Sequence, residues 1–297
     1  MSAVLKQSVP LGTEPAKPML AKDGGNAPAH YPVALEPKYD GIRALAVIRN
    51  GAVAIQSRTG KPFPSGLAKL VHALGETARC HSPGECDFML DGELVARDGA
   101  FADTQSLVMA KHGGDPSEHL RFMVFDRVPA GWEAMPYRQR RALMEKALHL
   151  PPGVEIAPMV IAGNEAEFRA FRAKCRADGF EGVMSKDLDA PYVAGRSGAW
   201  RKHKDILTLD GRIAALEEGV GRFAGTLGAV TVEGVYEGRR VKCSVGTGFT
   251  SGQRDTLWNG RDGMIGKMAE IKFQEITVGG SVRFPVFVRL RSDIDAC

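Results

Sequence analysis

Glu36-Pro37-Lys38-Tyr39-Asp40-Gly41-Ile42-Arg43 is the stretch on which the reading of this chain turns. Val33 to Lys38 is a short strand-like run that ends on the lysine, and Asp40-Gly41 turns the chain at once into a second strand. Lys38 is then either an exposed lysine on a solvated strand end or a nucleophile held rigidly in a cleft. The second reading needs cations around it, which favour the free amine that could attack phosphorus.

Working outward, Arg43 to Arg49 and Ala52 to Arg58 alternate in character around Asn50-Gly51, the signature of a type I′ hairpin. Ser65 to Arg79 carries Leu67, Leu70, Val71 and Leu74 at helical spacing. Phe88 to Ala96 and Leu120 to Asp126 are expected as buried strands, and Tyr137 to Leu150 as an amphipathic helix. Asn164 to Asp178 is a third helix, with Asn164 as N-cap, Glu167 three residues on and Gly179 as its stop. Glu181 to Ser185 and Trp200 to Asp205 are short strands, so this half mixes α and β. Residues 1–30, rich in Pro, Gly, Ala and Lys, are expected as a lead-in without a core of its own.

Past Ile206 the texture changes. Ala229 to Tyr236 and Arg239 to Val245 flank a Glu237-Gly238 turn, a helix is expected near Ser251 to Trp258, and strands near Ala269 to Thr277 and Phe284 to Arg291. Short strands with one helix point to a small barrel of the OB type. The expected domains are therefore 1–206 and 207–297.

At 297 residues the chain suits one large and one small domain. No apolar run approaches the roughly 20 residues that span a bilayer. Lys6, Glu14, Lys17, Lys22 and Asp23 interrupt the beginning of the chain, which argues against a secretory signal. Five scattered cysteines suit a reducing cytosol better than a disulfide framework, so the expected location is cytoplasmic, or the host cytoplasm for a viral chain. Net charge of +4 only permits nucleic-acid binding, but Arg201-Lys202-His203-Lys204 and Arg239-Arg240-Val241-Lys242 cluster cations that could neutralise phosphates. There is no Gly-x4-Gly-Lys-Ser/Thr loop for nucleotide and no Cys-x2-Cys pair for zinc. Cys80, His81 and Cys86 lack a fourth ligand and are read as bystanders.

The octet around Lys38 resembles the nucleophile motif Lys-x-Asp-Gly-x-Arg of the covalent nucleotidyltransferases: DNA ligases, RNA ligases and mRNA capping enzymes. Five further segments resemble that family's motifs in its order. They are Ser57-Arg58-Thr59-Gly60, Leu90 to Val95, Phe122 to Asp126, Glu181 to Lys186 and Trp200 to Lys204. Lys17-Pro18-Met19-Leu20-Ala21 and Arg283-Phe284-Pro285 are similar to DNA ligases in particular. Gly221 to Gly225 and Val245 to Phe249 resemble segments of their barrels. The resemblance covers nearly the whole chain from Pro18 onward. It implies an α+β nucleotidyltransferase domain, ATP-grasp-like with antiparallel sheets and helices, followed by an OB-fold β-barrel. It implies an ATP-dependent DNA ligase that seals nicked duplex DNA as a monomer, without a membrane, in replication, repair or recombination.

The same resemblance implies roles. Lys38 carries AMP, and Glu93 and Glu181 converge on Mg²⁺, a cation usually held by one or two carboxylates plus substrate phosphates. Phe125 stacks on adenine and Met184 covers its other face. Glu36 accepts from the adenine amino group, with Pro37 beside it in the ATP-binding set. Arg43 holds the ribose and Arg58 the 5′-phosphate of the nick, while Lys202 and Lys204 contact the α-phosphate. Arg291 and Asp293 act on ATP from the barrel, where Ile294 stands at a position that is lysine in the family. An RNA ligase is the nearest alternative, a GTP-dependent capping enzyme a remoter one. A non-catalytic OB-containing nucleic-acid-binding protein would not need Lys38 together with Glu93 and Glu181.

Overall fold

The computed structural model describes residues 16–49, 51–79, 87–97, 101–110, 114–131, 133–147, 150–204, 206–276 and 279–293. Contacts divide the chain into two compact units, one ending at His203 and the other beginning at Lys204. In the first, β1 (Met19–Asp23), β2 (Val33–Lys38), β3 (Ile42–Arg49) and β4 (Ala52–Ser57) precede α1 (Ala68–Arg79). Then come β5 (Phe88–Ala96), α2 (Phe101–Met109), β6 (Leu120–Pro129) and α3 (Tyr137–Ala147). The unit closes with β7 (Val154–Ile156), β8 (Val160–Ala162), α4 (Glu165–Ala177), β9 (Gly182–Lys186) and β10 (Gly195–Lys204).

Two five-stranded sheets result, in the orders β1-β10-β9-β2-β8 and β4-β3-β5-β6-β7. Most pairs are antiparallel, but β1 with β10 and β6 with β7 run parallel. On one sheet α4 lays Phe168 and Cys175 against Leu35 and Val183. On the other, Leu70 and Leu74 of α1 join Ala44, Ile48, Leu90 and Phe122 in the largest core. A third cluster, with Met19, Phe125, Val128, Tyr192 and Trp200, draws residues from both sheets. The candidate Phe125 lies in it, and Arg43 and Lys186 lie against its Phe125 and Trp200 rings.

The second unit contains β11 (Leu207–Glu218), β12 (Leu227–Tyr236), β13 (Arg239–Val245), α5 (Ser251–Asn259) and β14 (Met268–Phe273). A ribbon of β15 (Glu275–Ile276) and β16 (Val282–Arg283) leads into β17 (Val286–Leu290). The sheet runs β13-β12-β11-β14-β17, antiparallel throughout. Just beyond β13, the Thr247 carbonyl accepts from Phe287 N–H of β17 at 2.9 Å, and the Thr247 hydroxyl donates to the Pro285 carbonyl at 2.8 Å. These bonds draw the two sheet edges together as in an OB barrel. A capping box of Thr250 and Gln253 starts α5.

Local signals translated closely into elements. The Asn164 side chain accepts from Glu167 N–H at 3.0 Å, and Gly179 ends α4 with a φ of 82°. Glu237 and Gly238 both take positive φ, as a type I′ turn requires. In the first hairpin Gly51 has φ 75°, and Asn50 lies outside the described residues, as do Cys80, His81, Cys86 and Ile294. The helix expected from Ser65 begins only at Ala68, because Gly66 and Leu67 have φ of 78° and 47° and cannot open a right-handed helix. Leu67 is nonetheless fully buried, which is why its spacing reads as helical. The strands β1, β7, β8, β11 and β16 and the helix α2 add to what the sequence showed.

Candidate active site

Strand pairing brings Lys38 to its neighbours. β2 runs antiparallel to β9 with Lys38 opposite Gly182 and Glu36 opposite Met184. The Glu181 N–H donates to the Lys38 carbonyl at 3.1 Å, so the residue preceding β9 is fixed beside the lysine. There the Lys38 ammonium and the Glu181 carboxylate form an ion pair with side chains 21% and 17% exposed. The group in contact with the lysine is thus a carboxylate, where the sequence suggested cations. Gly41 is required at the following turn, since a Cβ there would stand 2.3 Å from the Leu94 carbonyl oxygen of β5.

That close approach seats β3 on β5, with Arg43 opposite Glu93. The Glu93 carboxyl is pushed up to about 7, foremost by burial and further by Asp91 and Glu181, against the pull of Arg43 and Lys38. Glu93, Lys38 and Glu181 therefore feel one another electrostatically. A carboxylate on β5 whose charge is disfavoured by a second one just before β9 is a donor pair that a hard divalent cation relieves, so the residues fit Mg²⁺. Among the described residues no cluster of three or more His, Cys, Asp or Glu forms a closed metal cage.

Behind the lysine lies a buried ionic network. Glu36, 2% exposed, receives Lys186 Nζ at 2.7 Å, the Arg141 guanidinium at 3.5 Å and a hydrogen bond from the Tyr137 hydroxyl. Its carboxylate is thus already engaged on three sides. Lys186 also donates to the Phe125 carbonyl at 3.0 Å and lies 4.6 Å from the Phe125 ring and 4.3 Å from Trp200. Burial lowers the Lys186 ammonium and raises the Tyr137 hydroxyl well above its ordinary range. Phe125 meets Trp200 edge-on at 5.8 Å. Met184 is half-buried on β9 and Pro37 faces Val183 in the ladder. The Arg43 guanidinium lies 4.6 Å over the Phe125 ring and is clasped by Asp91 at 2.5 and 2.6 Å.

The other expected residues have neighbours of their own. Arg58 is exposed in the turn after β4. On β10, Lys202 stands opposite Asp23, while His203 points into the core, bonded to Ser185 and to the Gly25 carbonyl. The alternation of Lys202 and Lys204 with His203 follows the period of two. Lys204 donates to Gln274 at 3.2 Å within the second unit. Also in that unit, Arg291 is paired with Asp210 at 2.6 Å and doubly with Asp293 at 2.9 and 2.8 Å. Arg291 holds the Asp293 carboxyl down at about 2.

Asp91, Tyr192, Lys186 and Trp200 belong to this cluster although no role was assigned to them from sequence. Asp91, Lys186 and Trp200 stood inside the quoted motifs, which was their only signal; Tyr192 had none.

The model of the ATP-dependent DNA ligase domain matches residues 18–204. This chain belongs to that family. The model of the DNA ligase OB-like domain matches residues 218–291. A probable DNA ligase of Kineococcus radiotolerans is 32% identical over 279 residues, covering 88% of this chain and 54% of the relative. A DNA ligase of Methanocorpusculum labreanum is 29% identical over 316 residues, covering 95% of this chain and 56% of the relative. The chain thus spans little more than half the length of these ligases. The solved structure Pmar-Lig_PreS3 superposes with a TM-score of 0.77 at 26% identity, over 93% of this chain and 67% of that one.

Proposed function

We propose that this chain seals nicks in duplex DNA at the expense of ATP, passing AMP through Lys38. The observation that carries the reading is the Lys38–Glu181 contact beside the half-buried Glu93, within a ligase-family domain that an OB-like barrel follows.

Lys38 Nζ attacks the α-phosphorus of ATP, forming a phosphoramidate P–N bond as the bond from the α-phosphorus to the bridging oxygen breaks and pyrophosphate leaves. Its ammonium must lose a proton first, and the Glu181 carboxylate in contact with it is the acceptor at hand. AMP then passes from Lys38 to the 5′-phosphate of the nick, and the 3′-hydroxyl displaces it to close the strand. Glu93 and Glu181 would hold Mg²⁺, which when bound supplies neutralising charge to the phosphates. Phe125 and Met184 enclose adenine, with Glu36 and Pro37 at its edge. Arg43 meets the ribose, Lys202 and Lys204 the α-phosphate and Arg58 the 5′-phosphate of the nick. Arg291 and Asp293 serve only the first step.

The substrate is nicked double-stranded DNA and the enzyme acts as a monomer in the cytoplasm; no helix among the described residues is long and apolar enough to cross a membrane. The purified protein, given ATP, Mg²⁺ and a nicked duplex with a 5′-phosphate, should seal DNA in preference to RNA. Preferential sealing of RNA would favour the RNA-ligase alternative, and no sealing of either would overturn the proposal.

A further inference from the structure

Tyr192 lies between β9 and β10, outside every motif, yet its hydroxyl is the hub of a buried cluster. It donates to Asp91 Oδ2 at 2.6 Å and accepts from the Met19 N–H of β1 at 2.9 Å. Asp91 is fully buried and holds Arg43 with both oxygens, Oδ1 to Nε at 2.5 Å and Oδ2 to Nη2 at 2.6 Å. Arg43 Nη2 returns to the Met19 carbonyl at 3.1 Å. Tyrosine, aspartate, arginine and the backbone N–H and C=O of one β1 residue, Met19, thus close a ring. Burial and the Asp91 charge raise the Tyr192 hydroxyl well above its ordinary range, so it stays protonated as a donor. The ring of Tyr192 packs edge-on against Trp200 at 6.0 Å independently of the hydroxyl.

In this ring Nε and Nη2 of Arg43 are committed, and Nη1 takes no part. We propose that Tyr192 is a positioning residue for Arg43, its hydroxyl fixing Asp91 and thereby directing the guanidinium edge that meets the nucleotide ribose. The inference rests on the proposed ribose contact of Arg43. It also gives β1 a function: the Met19 carbonyl is one wall of the arginine's seat, and the Met19 N–H holds the tyrosine hydroxyl.

The test is adenylation of the full chain with ATP, 2′-deoxy-ATP and 3′-deoxy-ATP, comparing wild type with Tyr192→Phe. Loss of a hydrogen bond to a charged group corresponds to about a tenfold effect. Tyr192→Phe should raise KM for ATP about tenfold and leave kcat within about twofold. It should also shrink the penalty that wild type shows for the deoxy analogue. An unchanged KM for ATP, or equal losses for all three nucleotides, would overturn the positioning role while leaving the Arg43 contact standing. A wild type that does not distinguish ATP from either deoxy analogue would overturn the Arg43 contact and this inference together. The melting temperature of the same sample should stay within a few degrees of wild type. Collapse of the fold would assign the hydroxyl a purely structural role and also overturn the proposal.

Discussion

Lys38 and Glu181, 143 residues apart in sequence, are in contact at the mouth of the antiparallel β2–β9 pair. The register of that pair makes the contact, because it sets Lys38 opposite Gly182 and ties Glu181 N–H to the lysine's own carbonyl. The proposed nucleophile is thus positioned by backbone hydrogen bonds, and its charge is matched by the carboxylate the same ladder delivers.

Glu93 gives a dependence on pH and on metal. Its folded-state midpoint, raised to about 7, lies above the ordinary glutamate value, so between about 4.5 and 7 the folded protein binds more protons than the unfolded chain. Stability should therefore fall as pH rises through that window and level off above it. Glu93→Gln should flatten this slope and raise the melting temperature by a few degrees at pH 7.5 without metal. Added Mg²⁺ should stabilise wild type more than Glu93→Gln. A variant that keeps the slope, or gains as much from Mg²⁺, would contradict this role of Glu93; thermal melts over a pH and Mg²⁺ series read both.

The Glu36–Lys186 pair predicts a stability effect. Both side chains are at most 2% exposed, and removing one member of a buried pair leaves the other uncompensated. Lys186→Met should cost about 3 kcal/mol in denaturant unfolding. Glu36→Gln combined with Lys186→Met should recover part of that loss. Additive losses in the double variant would show that the two side chains do not act as a pair.

What the sequence could reveal follows from how far each interaction reaches. The β12–β13 hairpin and α4 were legible because Glu237-Gly238 and the Asn164 cap act over a few residues. Lys38, Glu93 and Glu181 could be picked out as candidates because glycine adjoins each glutamate, Gly41 follows Lys38 three residues on, and all stand in motifs of fixed order. The start of α1 was obscured by Leu67, which is buried like a helical residue while its backbone is left-handed. Tyr192 was invisible because its role exists only once β1 pairs in parallel with β10 and brings Met19 to it. The engagement of Glu36 by Lys186, Arg141 and Tyr137 also depends on distant segments and had no local signature.

Arg291 should matter to one step alone. Arg291→Ala should slow formation of the Lys38 adenylate at least about tenfold yet seal a pre-adenylated nick at close to the normal rate. The same change should raise the Asp293 midpoint from about 2 toward the ordinary aspartate value, a shift that NMR titration reads. Equal losses in both single-turnover assays would point to a general defect in folding or DNA binding.

Affinity for nicked duplex should fall steeply with salt, with a log–log slope of roughly −0.9 per phosphate contacted. Titration by fluorescence anisotropy at several salt concentrations gives that slope. A salt-independent affinity would contradict a grip made by lysine and arginine on phosphates.

Covalent labelling tests the central claim most directly. Purified protein incubated with α-labelled ATP and Mg²⁺ should carry one AMP, located on Lys38 by peptide mass analysis. Lys38→Ala should retain the wild-type melting temperature to within a few degrees, since the lysine side chain is partly exposed at a strand end, and should take up no label. Adenylation of Lys38→Ala, or label mapped to another residue of the wild type, would contradict Lys38 as the nucleophile.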